Sequence, residues 1–215
     1  GTSSEPLFLQ YIAMSLNIFD KPDGGRKTQR EPVPYLGGLA IMISFLITVI
    51  TGLFVVSPSR EVRTDILYLL LPAAVLGIIG LWDDIKELSP HFRLMVQVLL
   101  GLAGSLTITF GSTSGSATGN QSTDLLLSIF WIVGITNALN FFDNMDGGAA
   151  VASFMTALGI FLYSSITNQP YLAIFGLVLM GVLVGFIYWN RRPARIYMGD
   201  SGALFLGILL ATIAI

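Results

Sequence analysis

The sequence predicts an all-α protein, a polytopic bundle of transmembrane helices. Of its 215 residues, 53% are hydrophobic and only 11% are charged, whereas soluble domains carry about 25% charged residues. The mean hydropathy is +0.76. The apolar residues occur in long unbroken runs, without the alternation of apolar and polar residues that is typical of strands. Too few charges are present to cover a water-soluble fold of this size.

Six apolar runs are long enough to cross a bilayer, which takes roughly 17–25 residues. They lie at 37–56, 66–82, 94–110, 125–141, 149–166 and 171–189. A seventh run, 201–215, is interrupted by the end of the sequence. We therefore expect residues 1–215 to form a single integral-membrane domain that is a fragment of a longer chain, truncated at the C-terminus and at the N-terminus.

Charge and cysteine content exclude several functions. The net charge of −2 offers no basic field for a nucleic acid. The chain has no cysteine, which excludes disulfides, thiolate metal sites and cysteine nucleophiles.

The basic residues predict the orientation in the membrane. Successive loops of a multi-pass protein lie on alternate sides of the membrane. Nine of the 11 basic residues lie in the loops of one side, namely 20–36, 83–93, 142–148 and 190–200. The opposite loops carry only Arg60 and Arg63. Because Lys and Arg are retained on the cytoplasmic side, the first set is predicted to face the cytoplasm from the plasma (inner) membrane.

The same loops place carboxylates where apolar helices meet water. Five aspartates have this position: Asp83, Asp84, Asp143, Asp146 and Asp200. An acid near the bilayer is costly unless it is solvated, paired or bound to a metal. Oxygen ligands without cysteine favour Mg²⁺, with Mn²⁺ as the second choice, and Mg²⁺ usually shares its site with substrate phosphates.

Plainer interpretations of these residues stay open. Each acid can be a helix cap or a solvated loop charge. Asn137 and Asn140 share a helix face and can serve only to join helices. An ion-coupled transporter would also use membrane carboxylates, but it predicts acids near the middle of the spans rather than at their ends.

Four motifs in order give a specific resemblance. They are Asp20-Lys21-Pro22 with residues 32–38 (PVPYLGG), Trp82-Asp83-Asp84, residues 137–147 (NALNFFDNMDG) and residues 197–202 (YMGDSG). The chain resembles the polyprenyl-phosphate N-acetylhexosamine-1-phosphate transferases, which form glycosyltransferase family four, and in particular their undecaprenyl-phosphate GlcNAc-1-phosphate transferase-like branch. The resemblance implies Mg²⁺-dependent transfer of a sugar 1-phosphate from a UDP-sugar to a polyprenyl phosphate, releasing UMP and initiating cell-envelope glycan synthesis.

The resemblance also implies roles for individual residues. It gives the catalytic positions as Asp83, Asp84 and Asp200, with Asp200 and Asp83 as metal ligands. Asp146 matches the partner of uracil, and Tyr197 matches an aromatic residue that stacks on the base. The complete predicted substrate-binding set is Asn140, Asp143, Asp146, Tyr197, Lys27 and Arg93.

Some residues depart from the family pattern. Gln29 stands where a histidine is usual, and Asn144 stands where a glycine is usual. These departures leave open a catalytically inactive member that acts as a membrane scaffold. The alternative function within the family is that of a phospho-N-acetylmuramoyl-pentapeptide transferase. Assembly of the protein as a homodimer also stays open.

Overall fold

Seven helices make up the part of the chain that the computed structural model describes, which is residues 19–20, 33–110 and 118–215. They are α1 Gly37–Val56, α2 Arg60–Lys86, α3 Pro90–Phe110, α4 Gln121–Phe142, α5 Gly148–Ile166, α6 Pro170–Asn190 and α7 Gly199–Ile213. Two strands of two residues each, β1 Phe19–Asp20 and β2 Val33–Pro34, pair antiparallel ahead of α1. The predicted all-α class is confirmed.

Five of the described helices, α1, α2, α4, α5 and α6, are long and apolar enough to cross a membrane. The other two predicted spans correspond to α3 and α7, and α7 is apolar but only 15 residues long. The chain therefore has the architecture of a multi-pass membrane protein.

One predicted boundary is wrong, because α2 is longer than its apolar run. The helix begins at Arg60, where the Ser59 side chain accepts a hydrogen bond from the Val62 N–H, a typical N-cap. It ends only at Lys86, with Glu87 in the left-handed conformation at φ 50°. Asp83 and Asp84 therefore lie in the last turns of α2, and not in the loop that follows it.

Helix α7 forms the centre of the bundle. All residues from 201 to 211 are buried, and α7 packs against α1, α2 and α4. Glycines allow the close contacts: a Cβ on Gly202 would lie 2.6 Å from the Gly38 Cα of α1. Small residues let helices approach closely in this way, and the packing fixes the N-terminus of α7 beside the end of α2.

Candidate active site

Four aspartates from three parts of the chain meet at one end of the bundle. Asp83 and Asp84 come from the end of α2, Asp143 follows α4, and Asp200 begins α7. Hydrogen bonds link these segments directly to one another. The prediction that the loops at 83–93, 142–148 and 190–200 lie at the same end of the bundle is thereby confirmed.

Asp83 is a buried carboxylate with a partner for each oxygen. Its side chain is 4% exposed. One oxygen accepts the Leu88 N–H at 2.6 Å, and the other accepts Arg93 Nη1 at 2.6 Å. Asp83 therefore closes the turn after α2 and holds the guanidinium of Arg93 from α3.

Asp84 joins α2 to the start of α7. Its two oxygens accept the backbone N–H groups of Asp200 at 2.8 Å and Ser201 at 3.1 Å. The first N–H groups of a helix lack partners within the helix and carry partial positive charge. Asp84 thus caps α7 from a different helix.

Gly199 makes this cap sterically possible. Its φ is +71°, which L side chains rarely adopt, and a Cβ at this position would lie 2.8 Å from an oxygen of Asp84. Both conditions require glycine.

Asp200 is the more accessible of the two acids that pair with Arg93, with its side chain 27% exposed against 4% for Asp83. One oxygen accepts Asn140 Nδ2 at 2.6 Å, and the other accepts Arg93 Nη1 at 2.8 Å. Asp143 is close by, since its carboxylate accepts the Gly199 N–H at 3.0 Å. The predicted residues Asn140, Asp143 and Arg93 therefore all belong to this cluster.

The cluster carries more negative charge than its own cations balance. Among the described residues, Arg93 supplies the ion pairs to these acids, and it pairs with Asp83 and Asp200. Burial raises the pKa of Asp143 to about 8; the Gly199 N–H opposes this shift, and the charges of Asp200 and Asp84 add to it. A further cation would relieve this repulsion.

The donor set suits a magnesium ion that is shared with a substrate. Within the described ranges, no three His, Asp or Glu side chains are gathered as a ready-made metal cage. Mg²⁺ does not require one, because it is usually held by one or two carboxylates together with phosphate oxygens. Asp200 fits best, since it is partly exposed, whereas the oxygens of Asp83 are buried and paired.

Two other predicted residues lie on the adjoining loop. The Ala194 N–H donates to Asp146, which is exposed, at 3.4 Å. The ring of Tyr197 lies 5.8 Å from that of Tyr35, and its carbonyl accepts the Gly37 N–H at 3.0 Å. Lys27 lies outside the described residues.

Two polar residues at the site were not singled out from the sequence. Asn190 is buried; it accepts the Gly147 N–H at 2.9 Å and donates to the Ile196 carbonyl at 2.8 Å, which joins the α4–α5 turn to the loop before α7. Gln97, also buried, accepts a hydrogen bond from Asn137. Gln97 interrupts the apolar run at 94–110, and that is the signal that could have identified it, whereas Asn190 directly follows the run at 171–189.

The chain is a multi-pass bundle with a polar, carboxylate-rich site at its helix ends. These features are typical of a membrane enzyme that acts on phosphate compounds. The sequence model of glycosyl transferase family 4 matches residues 66–215. The chain belongs to this family.

Named relatives agree with this membership. A phospho-N-acetylmuramoyl-pentapeptide-transferase of Limosilactobacillus reuteri (strain DSM 20016) is 32% identical over 203 residues, which cover 87% of this chain and 61% of the relative. The corresponding protein of Enterococcus hirae is 32% identical, covering 98% and 70%. A probable undecaprenyl-phosphate N-acetylglucosaminyl 1-phosphate transferase of Bacillus subtilis (strain 168) is 29% identical, covering 95% and 56%. The chain thus spans about three fifths of the first and third of these relatives.

Proposed function

We propose that the protein containing this chain transfers a sugar 1-phosphate, such as N-acetylhexosamine 1-phosphate, from a UDP-sugar to a polyprenyl phosphate at the cytoplasmic face of the membrane. The observation that carries the proposal is the meeting of Asp83, Asp84, Asp143 and Asp200 around Arg93 and Asn140 at one end of the bundle. Such a site lies where a membrane-bound lipid phosphate and a soluble nucleotide can both reach it.

In the proposed reaction, an oxygen of the lipid phosphate attacks the β-phosphorus of the UDP-sugar. A new P–O bond forms to the acceptor, the P–O bond to the UMP phosphate breaks, and UMP leaves. A phosphate monoester has a second pKa of about 6 and is largely dianionic at neutral pH, so the attack does not require a strong base.

The chain's own residues bind and orient. Arg93 offers its guanidinium beside Asp200, where it can also contact a phosphate oxygen. Asp84 holds the N-terminus of α7 in place, so that Asp200 is presented at a fixed position. Since both oxygens of Asp83 and of Asp84 already accept N–H groups, a one-step transfer is favoured over a covalent aspartyl intermediate.

The proposed cofactor is Mg²⁺, with Mn²⁺ as a substitute, held by Asp200. Asp83, whose two oxygens already accept hydrogen bonds, would assist indirectly by holding Arg93. When bound, it would neutralise charge on the pyrophosphate and on the leaving UMP.

Two UDP-sugar donors are candidates within the family. The relatives include transferases named for phospho-N-acetylmuramoyl-pentapeptide and one named for N-acetylglucosaminyl 1-phosphate. The opening motif at 32–38 supports the second group, whereas the identities, 32% and 28% to two members of the first group and 29% to the second, fit both donors equally.

The direct test measures UMP release by the full-length protein in membranes supplied with undecaprenyl phosphate and one UDP-sugar at a time. We expect release with UDP-GlcNAc, with UDP-N-acetylmuramoyl-pentapeptide, or with a closely related UDP-N-acetylhexosamine, and only when the lipid acceptor is present. No release from any donor, by protein that retains its fold, would contradict the proposal. Asp65, exposed at the opposite end of α2, offers Asp65→Asn as a matched control for substitutions of the site acids.

A further inference from the structure

A second polar concavity lies beside the carboxylate cluster, where α6 ends. Its volume is about 240 Å³, and its lining residues are Tyr188, Trp189, Arg191, Arg192, Pro193 and Arg195. None of these residues belongs to the aspartate cluster or its hydrogen-bond network. Three arginines on one small wall make this a site for an anion.

The arginines are positioned by aromatic rings rather than by acids. The Cζ atom of Arg191 lies 5.0 Å from the centre of the Tyr188 ring, and that of Arg195 lies 5.8 Å from the Trp189 ring. Both distances are within the range of cation–π contacts. Over residues 33–110 and 118–215, no carboxylate forms an ion pair with Arg191, Arg192 or Arg195. Their positive charge is therefore not neutralised by an acid of these residues.

The position of the pocket indicates what kind of anion it takes. Tyr188 and Trp189 form the last turn of the apolar helix α6, and Tyr188 is 57% exposed. Tyr and Trp side chains concentrate at the level of lipid headgroups. The arginines follow immediately, so the three guanidinium groups lie at the boundary between membrane and water.

We propose that this pocket binds the phosphate of an anionic phospholipid headgroup, with Arg191 and Arg195 as its principal contacts. Guanidinium groups bind phosphate through planar, paired hydrogen bonds. The rings of Tyr188 and Trp189 hold these groups in place and contact the apolar part of the lipid. The proposal concerns a bound membrane lipid and does not depend on transferase activity.

The test counts lipids bound to the purified full-length protein by native mass spectrometry. The protein is placed in mixed micelles that contain equal amounts of phosphatidylglycerol and phosphatidylcholine with the same acyl chains. We expect the wild type to retain phosphatidylglycerol in preference to phosphatidylcholine. R191Q/R195Q should lower that preference by about thirtyfold, since each basic side chain near an anionic lipid surface contributes a factor of about five.

Two control variants distinguish specific binding in this pocket from a general attraction of the anionic lipid to positive charge. R60Q/R63Q removes the same charge from exposed arginines at the other end of the bundle and should leave lipid retention unchanged. R191K/R195K keeps the charge and the fold and should recover only part of the preference, because lysine lacks the planar fork.

Three results would overturn the proposal. They are equal retention by the wild type and R191Q/R195Q, an equal loss in R60Q/R63Q, and displacement of the lipid from the wild type and R60Q/R63Q alike by inorganic phosphate or UMP. The last result would assign the pocket to a soluble phosphate ligand. Thermal unfolding of each variant checks that it is folded, and the single variant Arg191→Gln replaces the double variant if that fails to fold.

Discussion

Arg93 Nη1 lies 2.8 Å from Asp200 Oδ2, although 107 residues separate the two in sequence. The same nitrogen lies 2.6 Å from Asp83 Oδ2. A single donor atom of α3 therefore joins the end of α2 to the start of α7, and each of the three helices contributes one member of the link.

Removing this cation should destabilise the protein. Arg93→Ala leaves buried Asp83 without its ion-pair partner, and we expect a loss of about 2 kcal/mol, since Arg93 is partly exposed and breaking a fully buried pair costs more. Arg93→Lys should stay close to the wild type, because one nitrogen makes both contacts and an ammonium group can replace it. Thermal unfolding of the purified protein measures both. Equal stability of the alanine and lysine variants would contradict the bridging role.

The metal assignment predicts a severe effect of Asp200→Asn. The substitution keeps the size and one carbonyl oxygen but removes the charge, so the full-length protein should lose nearly all turnover while it remains folded. Added Mg²⁺ or Mn²⁺ should restore little. A purely structural role predicts otherwise, because Asn keeps an oxygen that can accept a hydrogen bond from Asn140 or Arg93. Turnover and Mg²⁺ dependence like those of the wild type, and of Asp65→Asn, would exclude Asp200 as the metal ligand.

For Tyr197 we expect a selective effect on the nucleotide substrate. Stacking of a base on an aromatic ring is worth roughly 1–3 kcal/mol, so Tyr197→Ala should raise the KM for the UDP-sugar by about 5- to 150-fold and leave the KM for the lipid acceptor nearly unchanged. Tyr197→Phe keeps the ring and should behave like the wild type. An unchanged KM in the alanine variant would exclude Tyr197 as the residue on which the base stacks.

Close packing around α7 predicts an unusually sensitive glycine. Gly202→Ala would place a methyl group 2.6 Å from the Gly38 Cα, and overpacking of this kind costs about 1–3 kcal/mol. Gly134→Ala is the matched control in α4, because nothing lies within 4 Å of its added Cβ; it should be neutral or stabilising by about 0.5–1 kcal/mol. Thermal unfolding compares the two variants. A Gly202→Ala protein as stable as Gly134→Ala would show that α1 and α7 can separate without cost.

Orientation can be tested with single cysteines, since the chain has none. Ser122 and Ser89 are both exposed and lie at opposite ends of the bundle. In intact cells, a membrane-impermeant thiol reagent should label Ser122→Cys and leave Ser89→Cys unlabelled. Permeabilised cells should label both. The reverse pattern in intact cells would place the aspartate cluster outside the cytoplasm.

The sequence predicts the helices better than their ends. Every described helix covers a predicted apolar run, because apolar length alone decides whether a segment is stable in a bilayer. The start of α2 was missed because Arg60 and Glu61 resemble loop residues, although Ser59 caps them into the helix. A count of apolar residues does not detect a cap.

The meeting of the aspartates at one end of the bundle was predictable, but the connections among them were not. Alternation of the loops brings Asp83, Asp143 and Asp200 to one end of the bundle. That Asp84 caps α7 depends on the crossing of α2 and α7 at Gly80, where a Cβ would lie 2.7 Å from the Ser201 N atom. A contact between segments more than 100 residues apart has no local signature in one sequence.

Because α7 is buried at the centre of the bundle, the site can form only after the other helices have been made. Helices are made from the N-terminus onward, and α7 is the last of the seven described. While the ribosome is still synthesising it, the groove between α1, α2 and α4 has no occupant, and Asp84 has not yet met the N–H groups of Asp200 and Ser201. The polar cluster therefore becomes complete only when α7 enters between helices that are already in the bilayer, so a nascent chain that stalls before residue 199 carries Asp84 without its two N–H partners.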